Sequence, residues 1–169
     1  MLNIILREYK QYTNKDRKNS FIYALLCLWR VPHFRVIVYI RIMQETRFKL
    51  IKELLSRKLC LRYGIEIGIN TKIGSKLLVR HINGIVIGDG VTIGESVTLY
   101  HGVTLGQRNG KYPTVLNGVT IYPNATLLGE IVIGKNSMIM ANSVVLSDVP
   151  DNCIVAGQPA HVVKNLGNN

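Results

Sequence analysis

From Ile65 onward, small or aliphatic residues recur in pairs two apart, and the pairs repeat every six residues. They fall at 65/67, 71/73, 77/79, 85/87, 91/93, 97/99 and 103/105, and resume at 119/121, 125/127, 131/133, 137/139 and 143/145. A glycine follows the second member at 68, 74, 88, 94, 106 and 134. Each pair reads as a short strand with two inward side chains, and each glycine as a corner that tolerates unusual backbone angles. A period of six, with three strands to a coil, builds a parallel β-helix in which each coil covers the next. The twelve rungs predict about four coils, roughly 19 Å tall.

Residues 20–62 have a different, helical spacing. Ser20 suits an N-cap before a helix over Phe21–Trp29, and Pro32 suits the first turn of a second helix. From Phe48 onward, Phe48, Ile51, Leu55 and Leu59 share one face, and Lys49, Lys52, Glu53 and Lys58 take the others. The chain therefore divides into a helical N-terminal subdomain (1–63), a β-helix domain (64–149) with a long loop at 107–116, and a C-terminal tail (150–169). Phe21–Ile40 is apolar enough to raise the question of a membrane span, but Arg30, Pro32, His33 and Arg35 interrupt it. Each central Arg costs about 2.5–3.5 kcal/mol on insertion, so the segment does not predict a span.

The 169 residues are 47% hydrophobic and 18% charged, with 15 glycines, which excludes a disordered chain and a coiled coil. The formal charge is +11, and residues 1–63 hold 14 Lys/Arg against 4 Asp/Glu. This basic excess is either a solvated helical face or an attraction to an acidic partner, such as an anionic lipid surface or a phosphorylated substrate. No aromatic-basic recognition motif accompanies it, so nucleic acid is not expected. Three scattered cysteines (Cys27, Cys60, Cys153) suggest no disulfide framework. The expected location is the cytoplasm, with the inner membrane face open to the basic helices.

Breaks in a structural repeat are where function tends to sit. Two residues are inserted within Arg80-His81-Ile82-Asn83-Gly84, and about ten run from Gln107 to Leu116, including Lys111, Tyr112 and Pro113. Rung four stacks on rung one, so His81, entering rung four, lies about one coil (roughly 5 Å) from rung one. Ile65 and Ile67 point inward, which turns Glu66 outward. A carboxylate and an imidazole meeting there suit general-base catalysis, and a plain surface hydrogen bond is the alternative. His101 lies on the same edge one coil further, either as a stacked, solvated histidine or in contact with substrate. His33 and His161 suggest no constellation. A zinc site would need three converging histidines, so no metal is expected.

The strings His81-Ile-Asn-Gly-Ile-Val-Ile-Gly88, Leu99-Tyr-His-Gly-Val-Thr-Leu-Gly106 and Val149-Pro-Asp…Ala156-Gly-Gln-Pro-Ala160 resemble the serine acetyltransferase branch of the hexapeptide-repeat acyltransferases. Arg30-Val-Pro-His-Phe34 looks like the helical segment of colanic-acid-type polysaccharide O-acetyltransferases. The resemblance implies a mainly β, left-handed parallel β-helix, a homotrimer, and acetyl-CoA bound as co-substrate between neighbouring subunits. It implies His81 as the base and Glu66 in place of the family's partner Asp. It also implies Gly106 beside the thioester, Ala141 and Ser147 along the cofactor arm, and Lys164 at a phosphate. Arg80, His101, Lys111 and Tyr112 are the residues expected at the acceptor.

Two departures bear on that acceptor. Serine acetyltransferases carry an Asp for the amino acid's ammonium where this chain has Arg80, and an Arg-His pair for its carboxylate where this chain has Lys111-Tyr112 in a shortened loop. A cation facing an ammonium at 4 Å costs about 4 kcal/mol at an effective dielectric of 20. The expectation is therefore acetyl transfer to a sugar hydroxyl, free or lipid-linked, in surface-polysaccharide assembly. Serine O-acetylation and a non-catalytic β-helix scaffold are the alternatives. The short helical region also argues against a dimer of trimers.

Overall fold

The computed structural model describes residues 2–13 and 20–167. Its larger part is a left-handed β-helix with three parallel faces. The first face stacks β1 (Ile65–Ile67), β4 (Ile85–Ile87), β7 (Thr104–Gly106), β10 (Thr126–Leu128) and β13 (Val144–Val145). The second stacks β2 (Lys72–Ile73), β5 (Thr92–Ile93), β8 (Thr114–Val115) and β11 (Val132–Ile133). The third stacks β3 (Leu78–Arg80), β6 (Thr98–Tyr100), β9 (Thr120–Ile121), β12 (Met138–Ile139) and β14 (Cys153–Gly157), and β15 (Ala160–Asn165) returns antiparallel along β14. Ile65 pairs with Ile85 and Ile67 with Ile87, so rung four covers rung one as the period requires. The inward residues form one continuous column in which Leu99, Leu105, Ile121, Leu127, Ile133 and Ile139 have no exposed surface. Burying each is worth about 1.5–3 kcal/mol.

The column makes about five turns rather than four. One rung was hidden: Pro113 and Val115 point inward, and β8 pairs with β5 and β11. Pro113 breaks the aliphatic pattern, so its rung reads from sequence as loop. Two further steps extend the column, as Val149 bridges to Ile133 and β14 pairs with β12. The real excursion is a tight hairpin. Arg108 and Lys111 exchange backbone hydrogen bonds of 3.0 and 3.1 Å around Asn109 and Gly110, both at positive φ, the two-residue turn that Asn-Gly favours.

The glycines after each rung have a different cause from the one expected. Gly68 and Gly74 do not adopt positive φ; a Cβ at Gly68 would lie 2.2 Å from Asp89 Cα, and one at Gly74 2.6 Å from the Gly94 carbonyl carbon. Close stacking of coils, not backbone strain, demands glycine there. Asparagine takes left-handed corners at 124, 136, 142 and 152, as glycine does at 84, 102 and 118. The asparagine side chains bridge coils, Asn124 to Asn142 at 3.4 Å and Asn136 to Asn152 at 3.2 Å.

Among the described residues four helices cap the column: α1 (Leu2–Thr13), α2 (Ser20–Arg30), α3 (Pro32–Glu45) and α4 (Lys49–Tyr63). The side chain of Ser20, on which the capping expectation rests, lies outside the described residues. Pro32 does open α3, within its first turn. The predicted face of α4 is only half used. Leu59 is buried and Leu55 packs on the core, whereas Ile51 is 39% and Phe48 71% exposed. From its middle onward α4 meets the first coil, where Ser56 Oγ donates to the Ile67 carbonyl at 2.8 Å. Arg41 ties α3 to the column, donating to the Ile73 carbonyl at 2.7 Å and to the Gly74 carbonyl while facing Glu8 of α1 at 3.3 Å. No single described helix is long and apolar enough to cross a membrane; α2 and α3 together reach that length but bend by 105°.

Candidate active site

The corner from the third face to the first gathers the histidines of the column. The chain leaves β3 at Arg80 and turns through His81 at φ +58°. Histidine is among the few non-glycine residues that enter this region with some ease. The next coil repeats the corner at His101, and the two are stitched by Gly102 N–H to the Asn83 carbonyl at 2.9 Å. The His81 and His101 rings stand edge to face with centroids 5.9 Å apart, and Tyr100 lies 6.4 Å from His81 and stacks on Tyr122 at 5.2 Å.

A third imidazole completes the cluster. His33, in the first turn of α3, places its ring 6.5 Å from that of His81. His33, His81, Ile82, Asn83 and His101 line one open cavity of about 560 Å³. The expectation that His33 joins no constellation is therefore corrected. Thirty-one residues, most of them helical, separate it from the repeat, and the packing of α3 against β3 closes that gap. The sequence signal was the Pro32-His33 step, which sets the start of α3 and hence the height of the ring. Burial, then the charges of His81 and Arg80, hold the His33 pKa below its ordinary value. His101 Nδ1 is buried without a partner. Among the described residues no group of three His, Cys, Asp or Glu side chains is arranged to hold a metal ion.

The other expected residues divide among several edges. Glu66 is exposed at the centre of β1, opposite Val86, and no hydrogen bond or ion pair joins it to His81 among the described residues. Arg80 is exposed at the end of β3 and does not line the cavity, although its charge is felt at His33. Lys111 pairs instead with Glu130 at 3.1 Å, and Tyr112 packs over Gly88 and Gly90 at a different corner. Ala141 is on the histidine corner three coils beyond His81, where Asn142 N–H donates to the Pro123 carbonyl. Gly106 ends β7 and Ser147 follows β13, both at the opposite end of the first face, and Lys164 lies in β15 beside Ile154. One chain thus gathers His33, His81, His101 and Ala141 on one edge and leaves Gly106, Ser147, Lys164, Lys111 and Tyr112 elsewhere.

No family profile matches the chain. The serine acetyltransferase of Synechococcus elongatus is 37% identical over 151 residues, 85% of this chain and 61% of that protein. The solved serine acetyltransferase of Neisseria gonorrhoeae superposes with a TM-score of 0.81 at 30% identity, over 99% of this chain and 67% of that one. A serine acetyltransferase solved with CoA gives 0.79 at 30% identity, over 95% and 68%. The chain spans about three fifths of the length of the curated relatives it matches.

These likenesses overturn the expectation of a sugar hydroxyl in polysaccharide assembly, since the relatives and solved neighbours are serine acetyltransferases. They also give no support to the colanic-acid likeness of Arg30–Phe34, residues that here end α2 and begin α3. The physical reason for the misjudgement is Arg80. It repels the ammonium of an amino acid, but the same cation attracts that amino acid's carboxylate. With the five-turn column, the histidine corner and the whole-chain superposition in agreement, the chain belongs to the serine acetyltransferase branch of the hexapeptide-repeat acyltransferases.

Proposed function

We propose that the chain is an acetyl-CoA-dependent O-acetyltransferase whose acceptor is the hydroxyl of serine. The observation that carries this reading is His81, exposed on a corner cleft between two further imidazoles. An imidazole nitrogen of His81 takes the hydroxyl proton as the oxygen adds to the thioester carbonyl. Collapse of the tetrahedral intermediate breaks the C–S bond, and the imidazolium returns the proton to the CoA thiolate. Glu66, exposed on the adjoining face and unpaired with His81 among the described residues, takes no step in this scheme. The cofactor lies along the histidine corner, where the three coils between His81 and Ala141 span about 14 Å, a length that suits an extended arm. Gly106, Ser147 and Lys164 serve from the other wall of a groove between subunits, which is the role of a homotrimer in this reading. The test is thiol release from acetyl-CoA with L-serine, for which turnover well above background hydrolysis is expected. No release above that background rejects the acceptor.

The helical surface supports a separate reading, peripheral contact with the anionic inner face of a membrane. Ile22, Leu25, Leu26 and Trp29 form an exposed stripe along α2, with Trp29 73% exposed. Leu25, Leu28 and Trp29 share a groove with Tyr39, Arg35 and Arg62. Apolar stripes edged by Lys and Arg settle at anionic bilayer surfaces. Trp29 is the chain's single tryptophan, so its fluorescence reports on this surface alone. Vesicles containing phosphatidylglycerol should shift its emission to the blue, and pure phosphatidylcholine vesicles should not. An unchanged spectrum at low salt removes the membrane from the account.

A further inference from the structure

We propose that His33 and Arg80 form the subsite that holds the acceptor's carboxylate, an assignment that rests on serine as acceptor. Within the chain the loop pair Lys111-Tyr112 lies away from the histidine corner, with Lys111 beside Glu130 and Tyr112 over the Gly88–Gly90 corner. The histidine corner, by contrast, is crowded with cationic or protonatable groups. His81 and Arg80 act on His33 from the end of β3, and His101 lines the same cavity from the coil beyond. On its own helix, Arg35 turns away to the Leu28 and Trp29 carbonyls. Among the described residues neither the His33 ring nor the Arg80 guanidinium makes a hydrogen bond, so both keep donors free, His33 in the cavity wall and Arg80 exposed beside His81 outside the lining.

The geometry gives the pair a direction. Phe34, fully buried, and Arg35, bonded to the end of α2, anchor the turn of α3 that carries His33. His33 and His81 line the same cavity with ring centroids 6.5 Å apart, so a small molecule seated in it reaches both when its hydroxyl sits two carbons from a carboxylate. With the carboxylate at His33 and Arg80, the hydroxyl faces His81. The pKa of His33 is depressed, so near neutral pH its ring is uncharged and donates one N–H to the carboxylate, while Arg80 supplies charge and a planar fork. A bound anion offsets the neighbouring cations. Serine binding therefore raises the His33 pKa, and the complex takes up protons slightly below neutral pH.

The experiment follows the histidine ring signals by NMR in the full chain, with the His33 resonance assigned by its loss in His33→Gln. L-serine should shift that resonance and raise its titration midpoint, and L-serinamide, which lacks the carboxylate, should do neither. In kinetics, His33→Gln and Arg80→Gln should each raise the KM for serine tenfold or more. Their kcat should stay within about threefold and the KM for acetyl-CoA should be unchanged, and Arg80→Lys should recover part of the loss. An equal response to serinamide, or an unaltered serine KM in both variants, overturns the subsite. Wild-type protein that binds serine at His33 without turning it over instead rejects the proposed reaction and leaves the subsite standing.

Discussion

His81→Asn lowers kcat for acetyl transfer by about 10²–10⁴-fold, the usual contribution of a positioned general base, and leaves the affinity for CoA unchanged. Asparagine is the informative replacement because residue 81 sits at φ +58°. Asparagine enters that region readily, whereas alanine adds a backbone cost of about 1–2 kcal/mol that has nothing to do with proton transfer. His81→Asn should therefore unfold near the wild-type midpoint while His81→Ala unfolds earlier, with both nearly inactive. Steady-state thiol release, calorimetric titration with CoA and thermal unfolding separate these effects. Lost CoA binding with normal turnover at saturation would remove His81 from the base role.

Arg41→Met destabilises the fold by about 3–5 kcal/mol, the scale on which a buried ion pair resists losing one partner. Arg41 is 5% exposed and Glu8 3%. Without the guanidinium, the Glu8 carboxylate keeps, among the described residues, Arg7 at 3.2 Å, and the Ile73 and Gly74 carbonyls lose a shared donor. The double variant Glu8→Gln/Arg41→Met should recover a substantial part of the loss, because the uncompensated charge is then gone. Urea denaturation of the single and double variants measures both quantities. Equal stability of Arg41→Met and wild type would show that α1 and α3 are held to the column by apolar packing alone. The site is implicated too, since α3 carries His33 and any slip of that helix moves its ring.

Legibility followed the range of the physics. A six-residue period records strands whose inward side chains must fill one narrow column, so rung pairing, the stacking of rung four on rung one and the corner position of His81 could all be read locally. The reading failed where one position served two constraints. Pro113 fills the column like an aliphatic residue but looks like loop chemistry, and its rung was lost with it. The glycines after the rungs look like turn formers, yet the backbone of the next coil excludes a side chain there. Arg80 can be read for its charge alone, and charge without position does not say which end of an amino acid it meets.

The sequence by itself determined the β-helix, its three-sided repeat, the basic helical cap and the exposure of His81 and Glu66, because each follows from residues within one coil or one helical turn. Only the tertiary structure decided that His33 joins His81 and His101, that Lys111 spends its charge on Glu130, and that Gly106 and Ser147 stand at the far end of the face from the histidine corner. Those outcomes depend on how α3 docks against the first coil, a docking set by Arg41, Glu8 and the packing of buried side chains between two units. A pattern of period six carries no record of what lies across a gap of more than thirty residues.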